Sequence, residues 1–429
     1  MKKYSVVTQY VLLGLCLGLF ILITPVKAQF AKGADVSWVT QMEASGKKFY
    51  NSSGTQQDLF TILSGKTINS IRLRVWVNPS GSWNNQADVI AKAKRAKAAG
   101  MRIMIDFHYS DTWADPANQA KPAAWTSYDF TTLMNTTYNY TYNVMTALKS
   151  AGITPTWVQV GNETNNGMLW NDGKASVNMK NFAWLVNCGY NAVKAVSSST
   201  KVIVHLSNGY DNSLFRWMFD GLKANGASWD VIGMSLYPTT SNWSTLNSQC
   251  LTNMNDMVSR YGKEVMICEV GMDVTAASTC KSFLIDIMNK VKSVSGSKGL
   301  GVFYWEPECY NSWQGYGKGA FDTSGKPTVA MDAFSSISAR EITEEPIDNQ
   351  QSRTFVVYPN PAEDQLKITL PDDYKGGHCK IYNNAGEALI SKKIEGKTSV
   401  IELTAIPAGL YIVKVNNGER TLSAKFIKK

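Results

Sequence analysis

The sequence predicts an α/β protein, a (β/α)8 TIM barrel followed by a small all-β sandwich domain. Three observations carry that prediction. Eight short apolar runs alternate with helical patterns from about residue 33 to 335. No glycine-rich phosphate turn follows the first run, which argues against a doubly wound nucleotide-binding sheet. Beyond residue 353 the pattern becomes short alternating strands between Asn, Gly and Pro turns. The expected organisation is a leader over 1–28, a barrel over 29–338, a linker over 339–352 and a sandwich over 353–429.

In the leader, Lys2 and Lys3 precede an apolar run over 11–26, and Val26-Lys27-Ala28 offers a small-residue cleavage site before Gln29. This is the pattern of a secretory signal peptide, too short for a membrane span and interrupted by Pro25. Of the formal charge of +9, Lys2, Lys3 and Lys27 fall in the leader, and 353–429 holds 12 basic against 8 acidic residues. The barrel is therefore nearly neutral and has no basic groove for nucleic acid. Among the seven cysteines, Cys188, Cys250, Cys268, Cys280 and Cys309 belong to the barrel in no zinc-binding spacing. Export permits disulfides without demanding them, and the hypothesis it opens is a Cys280–Cys309 pair, each cysteine following a neighbouring strand.

Taken in order, the predicted strands are 33–37, 70–76, 102–108, 157–161, 201–206, 230–236, 264–269 and 299–305. Helix 85–99 carries Val89, Ile90, Ala93 and Ala96 at helical spacing and closes on Gly100. Helix 131–150 runs into the stop at Ala151-Gly152. The linker is rich in Glu, Asp, Gln and Ser. In the tail, runs at 365–370 and 410–415 read as strands, with turns at Pro359-Asn360-Pro361, Asn383-Asn384 and Asn416-Asn417-Gly418. All 13 tryptophans lie between 38 and 313, so a sugar-stacking role for the tail would rest on Tyr358, Tyr374, Tyr382 and Tyr411 alone.

The chemistry is concentrated at two strand ends. The fourth strand stops in Gly161-Asn162-Glu163 and the seventh in Glu269-Val270-Gly271. One carboxylate at a strand end is usually solvated or ion-paired. Two, at the C-terminal mouth of a parallel barrel, are what glycoside hydrolysis needs, one to protonate the departing oxygen and one to attack or activate water. A separation of ~5–5.5 Å goes with retention and ~6.5–9.5 Å with inversion. His108 and His205 also end strands; without a third ligand they make no zinc site and read as polar liners of the pocket. Asp106 and Asp111 either bind sugar hydroxyls or tie down the long loop 110–121.

A family resemblance rests on Gly33-Ala34-Asp35-Val36-Ser37, Ile71-Arg72-Leu73-Arg74-Val75-Trp76, the run from Asp106 to Pro116, the run from Val158 to Gly167, and Phe303-Tyr304-Trp305-Glu306-Pro307. These resemble clan A retaining glycosidases and, within them, glycoside hydrolase family 53, the endo-β-1,4-galactanases. The resemblance implies Glu163 as acid/base, Glu269 as nucleophile and Asn162 as the partner of the sugar 2-hydroxyl. It further implies Arg72 or Arg74 as cation beside the nucleophile, Arg72 being the deeper, Tyr237 as a hydroxyl donor to it, and Trp305 as the floor under the cleaved sugar. Trp76, Trp113, Trp125, Trp243 and Trp313 are weaker candidates for outer subsites. Some bacterial relatives hold calcium after the seventh strand, but 270–280 contains one acid, Asp273, so neither metal nor other cofactor is expected. The implied substrate is the β-1,4-galactan of pectic side chains or type I arabinogalactan. The same two glutamates also serve mannanases and β-1,4-glucanases, and a non-catalytic glycan-binding barrel is a rival of a different class.

The tail motifs Val357-Tyr358-Pro359-Asn360-Pro361, the run from Ala408 to Val415 and Lys425-Phe426-Ile427-Lys428-Lys429 resemble the C-terminal sorting domain of the type IX secretion system. That resemblance implies the secretion machinery as a partner, passage of an outer membrane, and a secreted or surface location. The protein is expected to be a monomer.

Overall fold

The computed structural model describes residues 29–337 and, except for 360–361, 372–373, 375, 384–386, 419 and 429, residues 355–429. The expected leader and linker lie outside the described residues. The rest falls into two compact units.

In the first unit, eight parallel strands close into a barrel: β1 Ala31–Asp35, β2 Ser70–Val75, β3 Arg102–Phe107, β4 Trp157–Val160, β5 Lys201–Leu206, β6 Val231–Leu236, β7 Glu264–Val270 and β8 Gly299–Trp305. Pairing of β1 with both β2 and β8 completes the ring. The barrel interior is layered. Ala31, Met104, Trp157, Ile203, Val231, Met266, Cys268 and Phe303 fill the lower part with apolar side chains. Gly33 leaves the space that the Phe303 ring occupies, since a Cβ there would lie 2.2 Å from it. Above this plug the same strands bury Asp35, Arg72, Arg74, Asp106, Gln159, His205 and Ser235.

Helices cover the outside as the periodicity predicts. Helix Gln86–Ala98 is capped by Asn85, whose side chain accepts from the amide of Asp88, and buries Val89, Ala93 and Ala96. Helix Phe130–Ser150 is capped likewise by Asp129. The first strand starts two residues earlier than the apolar pattern indicates and stops at Asp35. There the Asp35 carboxylate takes the amide and hydroxyl of Ser37, at 3.0 and 2.5 Å, and turns the chain. The buried ammonium of Lys32 on β1 donates to the carbonyls of Phe334 and Ile337, at 2.7 and 2.5 Å, tying the start of the unit to its end.

The expected Cys280–Cys309 bond is absent, and both residues are buried free thiols. Cys280 sits on helix Ala277–Ser293, facing inward, with its Sγ 3.7 Å from the hydroxyl of Tyr304. Its neighbour is thus a β8 side chain rather than the loop beyond that strand.

The second unit is antiparallel. β9 Val356–Tyr358, β10 Gln365–Thr369 and β13 Thr398–Glu402 form one sheet in the order β13-β10-β9. β11 Gly377–Tyr382, β12 Ala388–Ile394, β14 Gly409–Asn416 and β15 Thr421–Lys428 form the other, in the order β12-β11-β14-β15. Alternate residues such as Leu366, Ile368, Cys379, Ile381, Val413 and Val415 make a separate core, as period-two patterning requires.

Candidate active site

Glu163 and Glu269 line one cleft of about 560 Å³ at the C-terminal ends of the strands. Local backbone geometry brings Glu163 there. Gly161 has φ +89°, Glu163 itself has φ +42°, and a Cβ at residue 161 would lie 2.5 Å from the Thr164 side chain. The strand therefore breaks sharply after Val160 and delivers the next carboxylate to the mouth.

Glu269 is held by two donors. Arg72 Nη2 lies 2.8 Å from Oε1, and the Tyr237 hydroxyl donates to Oε2 at 2.8 Å. Arg72 is itself gripped on every side. It pairs with Asp35 at 2.7 Å and Asp106 at 2.9 Å, and donates to Gln159 Oε1 at 2.7 Å and Asn162 Oδ1 at 2.9 Å. Burial opposes the charge of Arg72, but Asp106, Glu269 and Asp35 more than offset it and keep the guanidinium firmly protonated. Asp106, which burial alone would raise, is held below its ordinary range by Arg72 and His108.

Burial raises Glu269, against the pull of Arg72 and with the charge of Glu163 adding to the rise. Glu163 is also raised by burial, opposed by a hydrogen bond to Ser235 and by Arg72. Two carboxyls coupled in this way hold a shared proton over part of the neutral range. Only Glu269 has a guanidinium within ion-pair distance, so the proton resides on Glu163.

A neutral relay runs between the two acids. Gln159 gives its carbonyl to Arg72, so its amide donates to Asp106 at 3.0 Å and to His205 Nδ1 at 2.9 Å. The other ring nitrogen, Nε2–H, then donates to Ser235 at 2.8 Å, and Ser235 bonds Glu163. Burial holds His205 well below its ordinary pKa, helped by the charge of Arg72, consistent with an uncharged ring.

The same cleft carries an aromatic wall. Trp38, Trp76, Trp113, Trp305 and Tyr316 all line the cleft. Trp305 meets Tyr316 at 4.6 Å and Trp38 at 5.3 Å between ring centroids, and Trp113 meets Trp76 at 5.1 Å. Edge-to-face contacts of this kind give stiff platforms.

Of the residues singled out from sequence, Asn162, Glu163, His108, Tyr237, Glu269 and Trp305 meet at the cleft. Four others do not. Asp106 and His205 are fully buried beneath it and orient Arg72, His108 and Glu163 instead of lining the pocket. Arg74 does not reach Glu269; it pairs with Glu306. Asp111 ties down its loop by accepting the amides of Asn78 and Ala123, at 2.9 and 2.8 Å. Among the outer tryptophans, Trp76 and Trp113 reach the cleft, while Trp125 packs against Tyr140 and Trp243 and Trp313 pack against the core. Trp38, Trp83, Asp115 and Tyr316 line the cleft without having been picked out. Trp38 had a signal, since it stands one residue past the Gly33 to Ser37 motif at a strand end. Asp273, the acid after the seventh strand, accepts the amide and hydroxyl of Thr275, at 2.9 and 2.6 Å. Among the described residues no group of three or more acids, histidines or cysteines is arranged for a metal ion.

Residues 31–335 match the model of glycosyl hydrolase family 53, and residues 356–429 match that of a secretion system C-terminal sorting domain. An arabinogalactan endo-β-1,4-galactanase of Thermothelomyces thermophilus is 37% identical over 297 residues, which are 64% of this chain and 89% of that one. A solved fungal β-1,4-galactanase is 34% identical with a TM-score of 0.68, covering 72% of this chain and all of the other. The family 53 catalytic domain of Ignisphaera aggregans is 29% identical with a TM-score of 0.65, covering 72% and 96%.

Proposed function

The chain belongs to glycosyl hydrolase family 53, and from that premise we propose that it is an arabinogalactan endo-β-1,4-galactanase acting by double displacement on galactan. Glu269 attacks the anomeric carbon while Glu163 protonates the glycosidic oxygen, and a water then releases the glycosyl group with Glu163 as base. The observation that carries this reading is the asymmetry of the pair. Arg72 and Tyr237 hold Glu269 at 2.8 Å each, as an ionised nucleophile requires, whereas Glu163, lining the same aromatic-walled cleft, has no lysine or arginine within ion-pair distance among the described residues.

Asn162 spends one amide hydrogen on the carbonyl of Ala114 and its oxygen on Arg72, which leaves one N–H for the sugar 2-hydroxyl. Trp305 supplies the floor and His108 a polar edge. The two carboxyls provide all the acid, base and nucleophile chemistry, so the reading includes no cofactor. One chain holds the whole site, and the enzyme acts as a monomer. The match of the C-terminal unit to a sorting domain supports export to a secreted or surface location, with passage of an outer membrane.

Purified protein is expected to cleave galactan in preference to mannan and carboxymethylcellulose, with proton NMR showing the β-anomer first. Preference for either other polymer rejects the substrate, and initial α-anomer rejects the covalent intermediate.

The pH profile follows from the same assignments. Activity falls as pH rises and Glu163 loses its proton, and falls as pH drops and Glu269 gains one. The Tyr237 bond favours the ionised form of Glu269, so Tyr237→Phe raises that pKa and moves the acid limb upward. A charge-assisted bond of this kind corresponds to roughly 10–100-fold in kcat/KM. An unmoved acid limb in Tyr237→Phe would show that the phenol does not act on the nucleophile.

A further inference from the structure

Beneath the aromatic wall lies a second charged group that the reaction does not use. Arg74 is fully buried on β2, with Nη1 paired to Glu306. Its Nε and Nη2 meet no hydrogen-bond acceptor. They lie among indoles instead: the guanidinium carbon is 4.4 Å from the ring centre of Trp113, 5.0 Å from Trp38 and 5.2 Å from Trp76. All three rings line the cleft.

Glu306 joins Arg74 on β2 to the backbone of Trp38 beyond β1. It follows Trp305 at the tip of β8 with φ +48°, a left-handed conformation that breaks the alternation of the strand and turns its carboxylate inward. One oxygen takes Arg74 and the other accepts the backbone amide of Trp38 at 3.1 Å. Glu308, also fully buried, lies close enough to Glu306 for that carboxylate to act on it. Burial drives Glu308 well above the carboxylate range, with the charge of Glu306 adding to it.

Resting on the galactanase reading above, we infer that Arg74, held by Glu306, is the positioning residue of the aromatic wall and sets how tightly the cleft binds a galactan chain. Arg74 touches no substrate. It fixes the planes of Trp38, Trp76 and Trp113 from behind, as Arg72 fixes the nucleophile. The two arginines, two residues apart on one strand, thus divide the site between polymer binding and bond cleavage.

The test separates KM from kcat. Arg74→Met is made in the active enzyme and in a Glu269→Ala background, where galactotetraose affinity is measured by calorimetry. Loss of three cation–π contacts corresponds to ~10–100-fold weaker binding and a matching rise in KM on galactan, with kcat changing much less. Near-UV circular dichroism of the indoles changes in parallel. Affinity and KM within twofold of the parent overturn the inference, as does weakened binding with an unaltered indole spectrum or a fall in kcat at constant KM. Should Arg74→Met fail to fold, Arg74→Met with Glu306→Gln removes both buried charges together and is held to the same outcomes. Parent enzyme that neither cleaves galactan nor, as Glu269→Ala, binds galactotetraose defeats the galactanase reading itself, whereas normal parent behaviour with indifferent variants defeats only the role of Arg74.

Discussion

Replacing Glu269 by alanine lowers kcat on galactan by about 10⁵-fold while the fold survives, because the group removed is the one that forms the covalent bond. Survival is expected from the surroundings. Arg72 keeps Asp35 and Asp106 as counter-charges at 2.7 and 2.9 Å, so no isolated cation is left behind. The deletion also relieves a buried carboxyl whose ionisation burial opposes. Reducing-sugar release and a thermal melt check both halves. The assignment fails if turnover stays within tenfold of the parent, and the energetic argument fails if the melting temperature collapses. Azide added to the variant should restore part of the rate and yield the α-galactosyl azide, since a small anion fits where the carboxylate stood.

Arg72→Met produces the other large effect, and it acts on stability as well as turnover. Three carboxylates, Asp35, Asp106 and Glu269, lose their common cation, and Gln159 and Asn162 lose a donor. Breaking a buried ion pair by removing one partner costs about 3–5 kcal/mol. For a unit of this size that corresponds to a fall in melting temperature on the order of 10 °C. The pH dependence changes sign at Asp106. In the parent its pKa is depressed, so it contributes stability above its unfolded pKa that is lost as pH falls through the folded value. Without Arg72, burial dominates, the pKa of Asp106 rises, and the variant gains relative stability on acidification. Denaturant midpoints of both proteins across pH 4 to 8 test this, and parallel curves would mean that Arg72 is not the element holding Asp106 ionised.

The barrel was legible because parallel strands buried on both sides are short, apolar and punctuated by helix caps, and each of these leaves a mark in the residue order. The two acids were legible because each ends such a strand. Depth was harder to read. Asp106 on β3 and His108 just past its end are two residues apart, yet the first is fully buried and the second lines the cleft. Strand pairing sets Asp106 beside Arg74 and Gln159, and only this stagger between neighbours puts it below the mouth. Glu306 was hidden for a different reason. Alternation from Trp305 points its side chain out of the barrel, and a positive φ reverses that. Tyr316 comes from an irregular loop beyond β8, where no periodicity exists to place it. The Cys280–Cys309 expectation failed because following adjacent strands fixes neither helix rotation nor loop path.

The Lys32 ammonium, seated on the carbonyls of Phe334 and Ile337, sets a limit on how far the hydrolytic unit can be trimmed. A fragment ending before Phe334 would remove both carbonyl partners of that cation and leave it the Thr67 hydroxyl at 3.4 Å. Removal of the sorting segment, by a protease or by design, is therefore tolerated only on the C-terminal side of this clasp.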